Sequence, residues 1–203
     1  MRRPSSARKL GRRRLPTWRW VGLPLLAAVI LAGGCGAGDI VEPEDFEEFA
    51  NSPDRDEAAF QTDRLEYTLE RTSYGYRMDI AFRFTNPTNG AAYFVNCLGG
   101  TGVVLDKRED GVWKSVWAPV LLQCLSPPIV VAAGADWSGV VGVVAGEFGT
   151  NRHPQFETQD LKGVYRLRWV DLLRTYEPNR YPFGEPLPEA LRVSNRFVVR
   201  VAP

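Results

Sequence analysis

The chain has 203 residues, with 25 Lys and Arg set against 24 Asp and Glu. Eight of the basic residues and no acidic one fall within positions 1–34, so the remaining 17 face all 24 acids, a net charge of −7 beyond the leader. A domain of that sign with no basic stripe is excluded as a nucleic-acid binder, because such binding rests on neutralising phosphates with Lys and Arg.

In chain order, the first element is a positively charged start (Arg2, Arg3, Arg8, Lys9, Arg12, Arg13, Arg14, Arg19) followed by the apolar run Val21–Ala32 and the small residues Gly33 and Gly34. This is the layout of a secretory signal. Twelve apolar residues rise only about 18 Å as a helix, against about 30 Å of bilayer hydrocarbon, so a membrane span is not expected. Positive charge ahead of the run keeps that end cytoplasmic.

The segment Leu31-Ala32-Gly33-Gly34-Cys35 resembles the lipobox of bacterial lipoproteins. The resemblance implies cleavage before Cys35 and acylation of its sulfur, which would leave the mature chain lipid-anchored in the cell envelope, facing the periplasm or outside. The family usually has leucine where this chain has Ala32, with Leu31 one position early. The other reading is an ordinary signal cut nearby, leaving Cys35 as a thiol or half of a disulfide.

Residues 35–61 read as an acidic tether, since Val41–Phe49 and Asn51–Glu57 are rich in carboxylates and broken by Pro43 and Pro53. Like charges extend such a linker. From residue 62 to 203 the pattern is one of short strands with no long amphipathic helix. Leu65, Tyr67 and Leu69 alternate with polar neighbours, and Tyr76, Met78, Ile80, Phe82 and Phe84 repeat the period of two that a half-buried strand requires. After the turn-forming Asn86–Gly90 comes a third strand, Ala92–Cys97. Val103–Lys107 and Val112–Trp117 flank Glu109-Asp110-Gly111, a hairpin signal.

Pro127-Pro128 reads as an interruption before a short run, Ile129–Ala132, and the turn Ala133-Gly134-Ala135. Trp137–Val144 and Gly163–Val170 follow as strands, separated by a loop at 145–158. A proline-rich stretch, Pro178–Pro188, precedes the last strand at Leu191–Val201.

Seven or eight short strands in this length predict an all-β, antiparallel sandwich, with a closed barrel as the competing arrangement. Three segments carry a resemblance to bacterial immunoglobulin-like domains: Phe84-Thr-Asn-Pro-Thr88, Asp110-Gly-Val-Trp113, and Asp160-Leu-Lys-Gly-Val-Tyr165-Arg-Leu. The resemblance implies an immunoglobulin-like β-sandwich over 62–203. It also implies a tyrosine before the penultimate strand whose hydroxyl bonds back to the backbone.

With Cys35 assigned to the lipobox, Cys97 and Cys124 remain as an even pair in an oxidising compartment, where a disulfide is expected. No C-x-x-C and no neighbouring histidine favour redox or metal chemistry instead. The pair does not fall on the strands that antibody domains bridge, so the bond is expected at the periphery.

Catalytic signals are thin, and no cofactor or metal is expected. The single histidine, His153, sits in a loop without a neighbouring serine or cysteine, G-x-S-x-G is absent, and zinc sites need several His or Cys ligands. The glycines of Val141–Gly149 lack the Lys-Ser/Thr ending of a phosphate loop. Trp113 and Trp117, four apart on one strand, are expected on one face, with Trp137 and Trp169 as further core or patch residues. Long loops on a rigid scaffold carry recognition, which makes Arg152 and His153 in one loop, and Tyr176, Arg180 and Tyr181 in another, the binding candidates. The expected function is a non-catalytic envelope module that binds a protein or cell-wall component. A loop-presenting protease inhibitor and a hydrolase with an unrecognised site are the alternatives.

Overall fold

A computed structural model describes residues 58–203 apart from Asn179. The leader, Cys35 and residues 36–57 of the tether lie outside the described residues.

The described chain is all-β, with twelve strands and one 3₁₀ turn at Glu189–Leu191. The strands are β1 (Phe60–Thr62), β2 (Glu66–Arg71), β3 (Tyr76–Thr85), β4 (Ala92–Cys97), β5 (Gly100–Thr101) and β6 (Val103–Glu109). They continue as β7 (Val112–Trp117), β8 (Ser126–Val131), β9 (Asp136–Ala145), β10 (Gly163–Trp169), β11 (Leu172–Leu173) and β12 (Phe197–Val201).

Eight strands form one bent, open sheet, and no barrel closes. In one arm β3 is central, paired along ten residues with β9 and on its other edge with β1 and the end of β2. In the other arm the order is β12, β10, β6, β7, all antiparallel. β2 joins the arms. Its last two residues pair with β3, while Glu66–Leu69 run parallel to Val198–Val201 of β12. A smaller sheet places β4 between β11 and β8, with β5 at its end.

Alternation decides which side chains meet. Tyr76, Met78, Ile80, Phe82 and Phe84 of β3 and Tyr165, Leu167 and Trp169 of β10 turn to a shared interior. Its centre is aromatic: Phe60 stacks on Trp169 at 3.9 Å, with Phe82, Phe84 and Phe94 packed around them. Phe60 is fully buried, so the folded body begins before residue 62, and residues 58–61 are part of it rather than of the tether. The chain reaches the core there because Thr62 N–H donates to Asn195 Oδ1 at 2.7 Å and Asn195 N–H donates to the Phe60 carbonyl.

The turn chemistry performs as the residues require. Asp110 and Gly111 both have positive φ (52° and 76°), the geometry of the tight turn that suits a twisted hairpin. Asn86 is buried. Its amide donates to the carbonyls of Gly90 and Val131, and its Oδ1 accepts from Thr88 N–H and Oγ1. The Tyr165 hydroxyl, buried with its ring, donates to the Leu161 carbonyl at 2.9 Å; the tyrosine itself lies within β10, which β11 and β12 follow, and not before the penultimate strand.

Three expectations need correction. Pro127 and Pro128 lie inside β8 and do not interrupt it. The ladder to β4 slips between Phe94 and Asn96, so neither proline is asked for a ladder hydrogen bond. The last strand begins at Phe197, not Leu191, because Ser194 and Asn195 are buried and bond through their side chains.

Trp113 and Trp117 do not share a face. Ser115 stands opposite Asp106 but Trp117 opposite Leu105, so β7 carries one extra residue. That bulge turns Trp117 into the core and leaves Trp113 outside.

Candidate functional site

The two candidate loops leave opposite ends of β10. Residues 146–162 lead into its start, and 174–186 follow its end through β11. The sequence expectation of recognition loops therefore maps onto two separate places.

In the first loop Phe156 is anchored in the core, and Arg152 is already engaged. Its guanidinium donates to the carbonyls of Ser73 and Tyr74 and lies over the Tyr74 ring, 5.3 Å from the centroid. The Tyr74 hydroxyl donates to the His153 carbonyl at 3.0 Å. These bonds tie the loop to the β2–β3 turn and leave the His153 imidazole exposed. In the second loop Tyr176 is half-buried between Tyr93 and Phe183, and Arg180 pairs with Glu177 at 2.8 Å. Tyr181 is exposed, edge-on to Phe183.

A different surface carries a stronger feature. Cys97, at the end of β4, is bonded to Cys124, which fixes the segment 118–125 that follows β7. The bridge lies in a satellite cluster with Val95 and Leu173, packed by Leu121, Tyr93, Tyr176 and Phe183, away from the main core. Leu121 turns in to this cluster, but Leu98, Val120, Leu122 and Leu125 are 68, 61, 69 and 76% exposed.

Beside this segment runs a cleft of about 260 Å³. Trp117, Leu121, Trp137 and Phe82 contribute its walls, and Gly139 and Gly142 of β9 lie along it. Gly139 faces Phe82 in the ladder, and a Cβ there would come to 3.0 Å from the ring, so glycine keeps the passage open. Among the described residues, β9 pairs with β3 alone, and its other edge borders this cleft; Trp117 Nε1 donates to the Val144 carbonyl at 3.2 Å. Sequence reasoning missed this surface. The signal available was the run Val120-Leu121-Leu122 just before a cysteine.

The outer face of β6 and β10 holds a cluster of charged side chains. Asp106 is 2% exposed and accepts from Arg168 Nε at 2.7 Å and Nη2 at 2.9 Å, and from Arg166 Nε at 3.3 Å. The carboxylate holds the Arg168 guanidinium above its ordinary range. Arg166 lies 4.6 Å over the Trp113 ring, and Trp113, Arg166 and Arg196 line a cleft of about 250 Å³. On the inner side Lys107 is buried, its Nζ bonded to the Asp160 carbonyl at 2.6 Å and to Asp160 Oδ2 at 2.8 Å. Glu109 is pulled below the usual carboxylate range, chiefly by its bond from Lys114. No group of three or more metal-ligating side chains occurs among the described residues.

No family model matches the chain, and no curated protein matches it. Among solved structures, it has a likeness to the alkylpurine DNA glycosylase AlkC of Pseudomonas fluorescens bound to DNA containing an abasic site analog. The identity is 13%, the match covers 70% of this chain and 31% of that one, and the TM-score is 0.31. The chain thus spans less than a third of the glycosylase, and a likeness at that level carries no argument for fold or function.

Proposed function

We propose that this protein is a lipid-anchored, non-catalytic binding module of the cell envelope, an immunoglobulin-like β-sandwich that holds a protein partner on its disulfide-fixed apolar segment. The fold reading is supported by two arms that share one interior, β9-β3-β1/β2 and β12-β10-β6-β7, and by the bond from Tyr165 in β10 back to the Leu161 carbonyl. The anchor reading rests on the lipobox-like sequence at Cys35.

One observation carries the binding reading. Four large apolar side chains, Leu98, Val120, Leu122 and Leu125, stand exposed on and beside a segment that a covalent bond holds in place. Contiguous apolar surface on a folded domain marks interaction sites, and a pre-fixed loop loses little freedom on binding. The test is cross-linking in the host envelope, comparing the native chain with Leu98→Ser/Leu122→Ser/Leu125→Ser. Adducts that vanish with the triple change support the reading, and an unchanged adduct pattern removes this surface from it. Intact mass beside Cys35→Ala tests the anchor: a mature chain that starts at Cys35 with acyl mass is expected, and an unmodified Cys35 overturns it.

The same rigid segment favours protease inhibition as a second reading, since inhibitors present a fixed loop to the enzyme. A chymotrypsin-like protease preferring large apolar residues should then be slowed by the native protein. Full protease activity at saturating concentrations of this chain would end that reading.

A further inference from the structure

We propose that the outer edge of β9 pairs with itself, joining two copies of this chain as antiparallel strands about a two-fold axis at Val140. The proposal stands apart from the anchor and from the apolar surface around Leu122.

Hydrogen bonds fix which way each residue of β9 points. Asp63 N–H donates to the Ala81 carbonyl and Thr85 N–H to the Ala59 carbonyl, so the odd-numbered residues of β3 bond toward β1. Its even-numbered residues therefore bond toward β9, where the register gives them Trp137, Gly139, Val141, Val143 and Ala145. Asp136, Ser138, Val140, Gly142 and Val144 are left with their N–H and C=O groups directed away from β3. The bond from Trp117 Nε1 to the Val144 carbonyl has that direction. Beyond it, Gly146 donates to the Pro154 carbonyl and accepts from Phe156 N–H. Among the described residues, nothing pairs with the outward backbone groups of Ser138, Val140 and Gly142.

This edge lacks the devices that keep strands apart. From Trp137 to Ala145 it has no charge and no proline, and its ladder to β3 runs without a bulge. Val140 and Val144 are exposed on its outer row. Gly139 and Gly142 bring no side chain to overhang the backbone.

The rows that self-pairing makes identify the occupant as a second copy. With Val140 opposite Val140, Ser138 faces Gly142 and Asp136 faces Val144. The outward groups of Ser138, Val140 and Gly142 then all meet as hydrogen-bonded pairs. The central row of the outer face reads Ala81-Val140-Val140-Ala81, apolar throughout, with β-branched side chains opposed. In the next row, Arg83 and Ser138 of one copy continue into Gly142 and Asp79 of the other. In the row after that, Thr85 and Asp136 continue into Val144 and Arg77. Opposite charges therefore flank the centre, and no like charges share a row. A register centred on Gly142 would call on the Val144 carbonyl, which Trp117 already holds. Because the contact is the same strand on both sides, the assembly closes at two.

The measurement is mass by analytical ultracentrifugation of the full chain across a concentration series, in a density-matched detergent. The native chain should form dimers. Val140→Lys places two ammonium groups face to face at an exposed position and should weaken association by about tenfold or more. Val140→Pro is the second variant. The N–H it removes points away from β3, so the ladder within one copy stays intact while the edge is blocked. Val140→Cys should link two chains under mild oxidation, since facing residues of such a pair have Cα atoms about 5.5 Å apart. Val112→Cys, exposed on β7, is the control and should link no more than the native chain.

A native chain that stays monomeric at every concentration overturns the proposal. So does a dimer that both Val140→Lys and Val140→Pro leave as tight as the native one, or an open series of larger assemblies. Equal linking through positions 112 and 140 overturns it as well.

Discussion

The interior between the two arms and the small cluster around Cys97 are held by different means. The interior gathers Phe60, Phe82, Phe84, Phe94 and Trp169 into mutual ring contact, and neighbouring strands supply aliphatic residues around them. The satellite cluster has three buried residues, Val95, Cys97 and Leu173, with a border of half-buried side chains. So little buried apolar area gives weak cohesion at about 25 cal/mol per Å², and a covalent bond substitutes for it. The contrast teaches that a region fixed by a disulfide does not need its leucines inside. Leu122 and Leu125 can face water because folding does not depend on burying them.

Truncation of the aromatic centre should have the largest effect. Trp169→Ala is expected to remove about 3–5 kcal/mol, a large part of a typical net stability of about 5–15 kcal/mol, read as a shifted urea midpoint. A loss below about 1 kcal/mol would mean that the core does not depend on its rings in this way.

Next comes Cys97→Ala/Cys124→Ala. Opening a loop of 28 residues is expected to cost about 3–4 kcal/mol on the chain-entropy account. Hydrogen exchange should rise at 118–125 and at Tyr176–Phe183 while β3 and β10 keep their protection. Uniform loss across the molecule would show that the two regions are not energetically separate.

Tyr165→Phe removes one buried bond and no packing, so about 0.5–1.5 kcal/mol should be lost in thermal or denaturant unfolding. No change would make the back-bond ornamental.

Asp171 sits on the seam between the regions. Its backbone carbonyl accepts Val95 N–H, and burial pushes its carboxyl above the usual range. A folded-state pKa raised in this direction favours folding below the unfolded value and loses that benefit as pH rises through the folded one. Asp171→Asn should therefore stabilise slightly at pH 7 and not at pH 3. Stabilisation that is the same at both would break the assignment.

How much of this could be read beforehand depended on length and repetition. β2, β3, β4, β6, β7, β9 and β10 announce themselves by alternation over six to ten residues or by dense strand formers. β5 and β11 are two residues long, too short for any period, and exist because β4 is there to pair with them. β1 was hidden for another reason: Phe60 follows a carboxylate-rich stretch that hides a core residue. The proline strand was misjudged because a ladder slip is a property of the pair of strands.

The site followed the same rule. Arg152 and Tyr176 stand where loops were expected, but what they touch is their own scaffold. The arginine face alternates plainly in Arg166 and Arg168, yet its partner Trp113 could be placed only once the extra residue in β7 was known.

The parallel pairing of β2 with β12 has a mechanical meaning. The chain enters β2 at Glu66, opposite Val198, and leaves β12 at Val201, opposite Leu69. Tension between the two termini would draw these strands past each other along their length. The hydrogen bonds between them lie across that pull and would stretch together, whereas a hairpin pulled from its open end unzips one bond at a time. A pull applied across β2 and β12 in this way would thus be resisted by a clamp four residue pairs long.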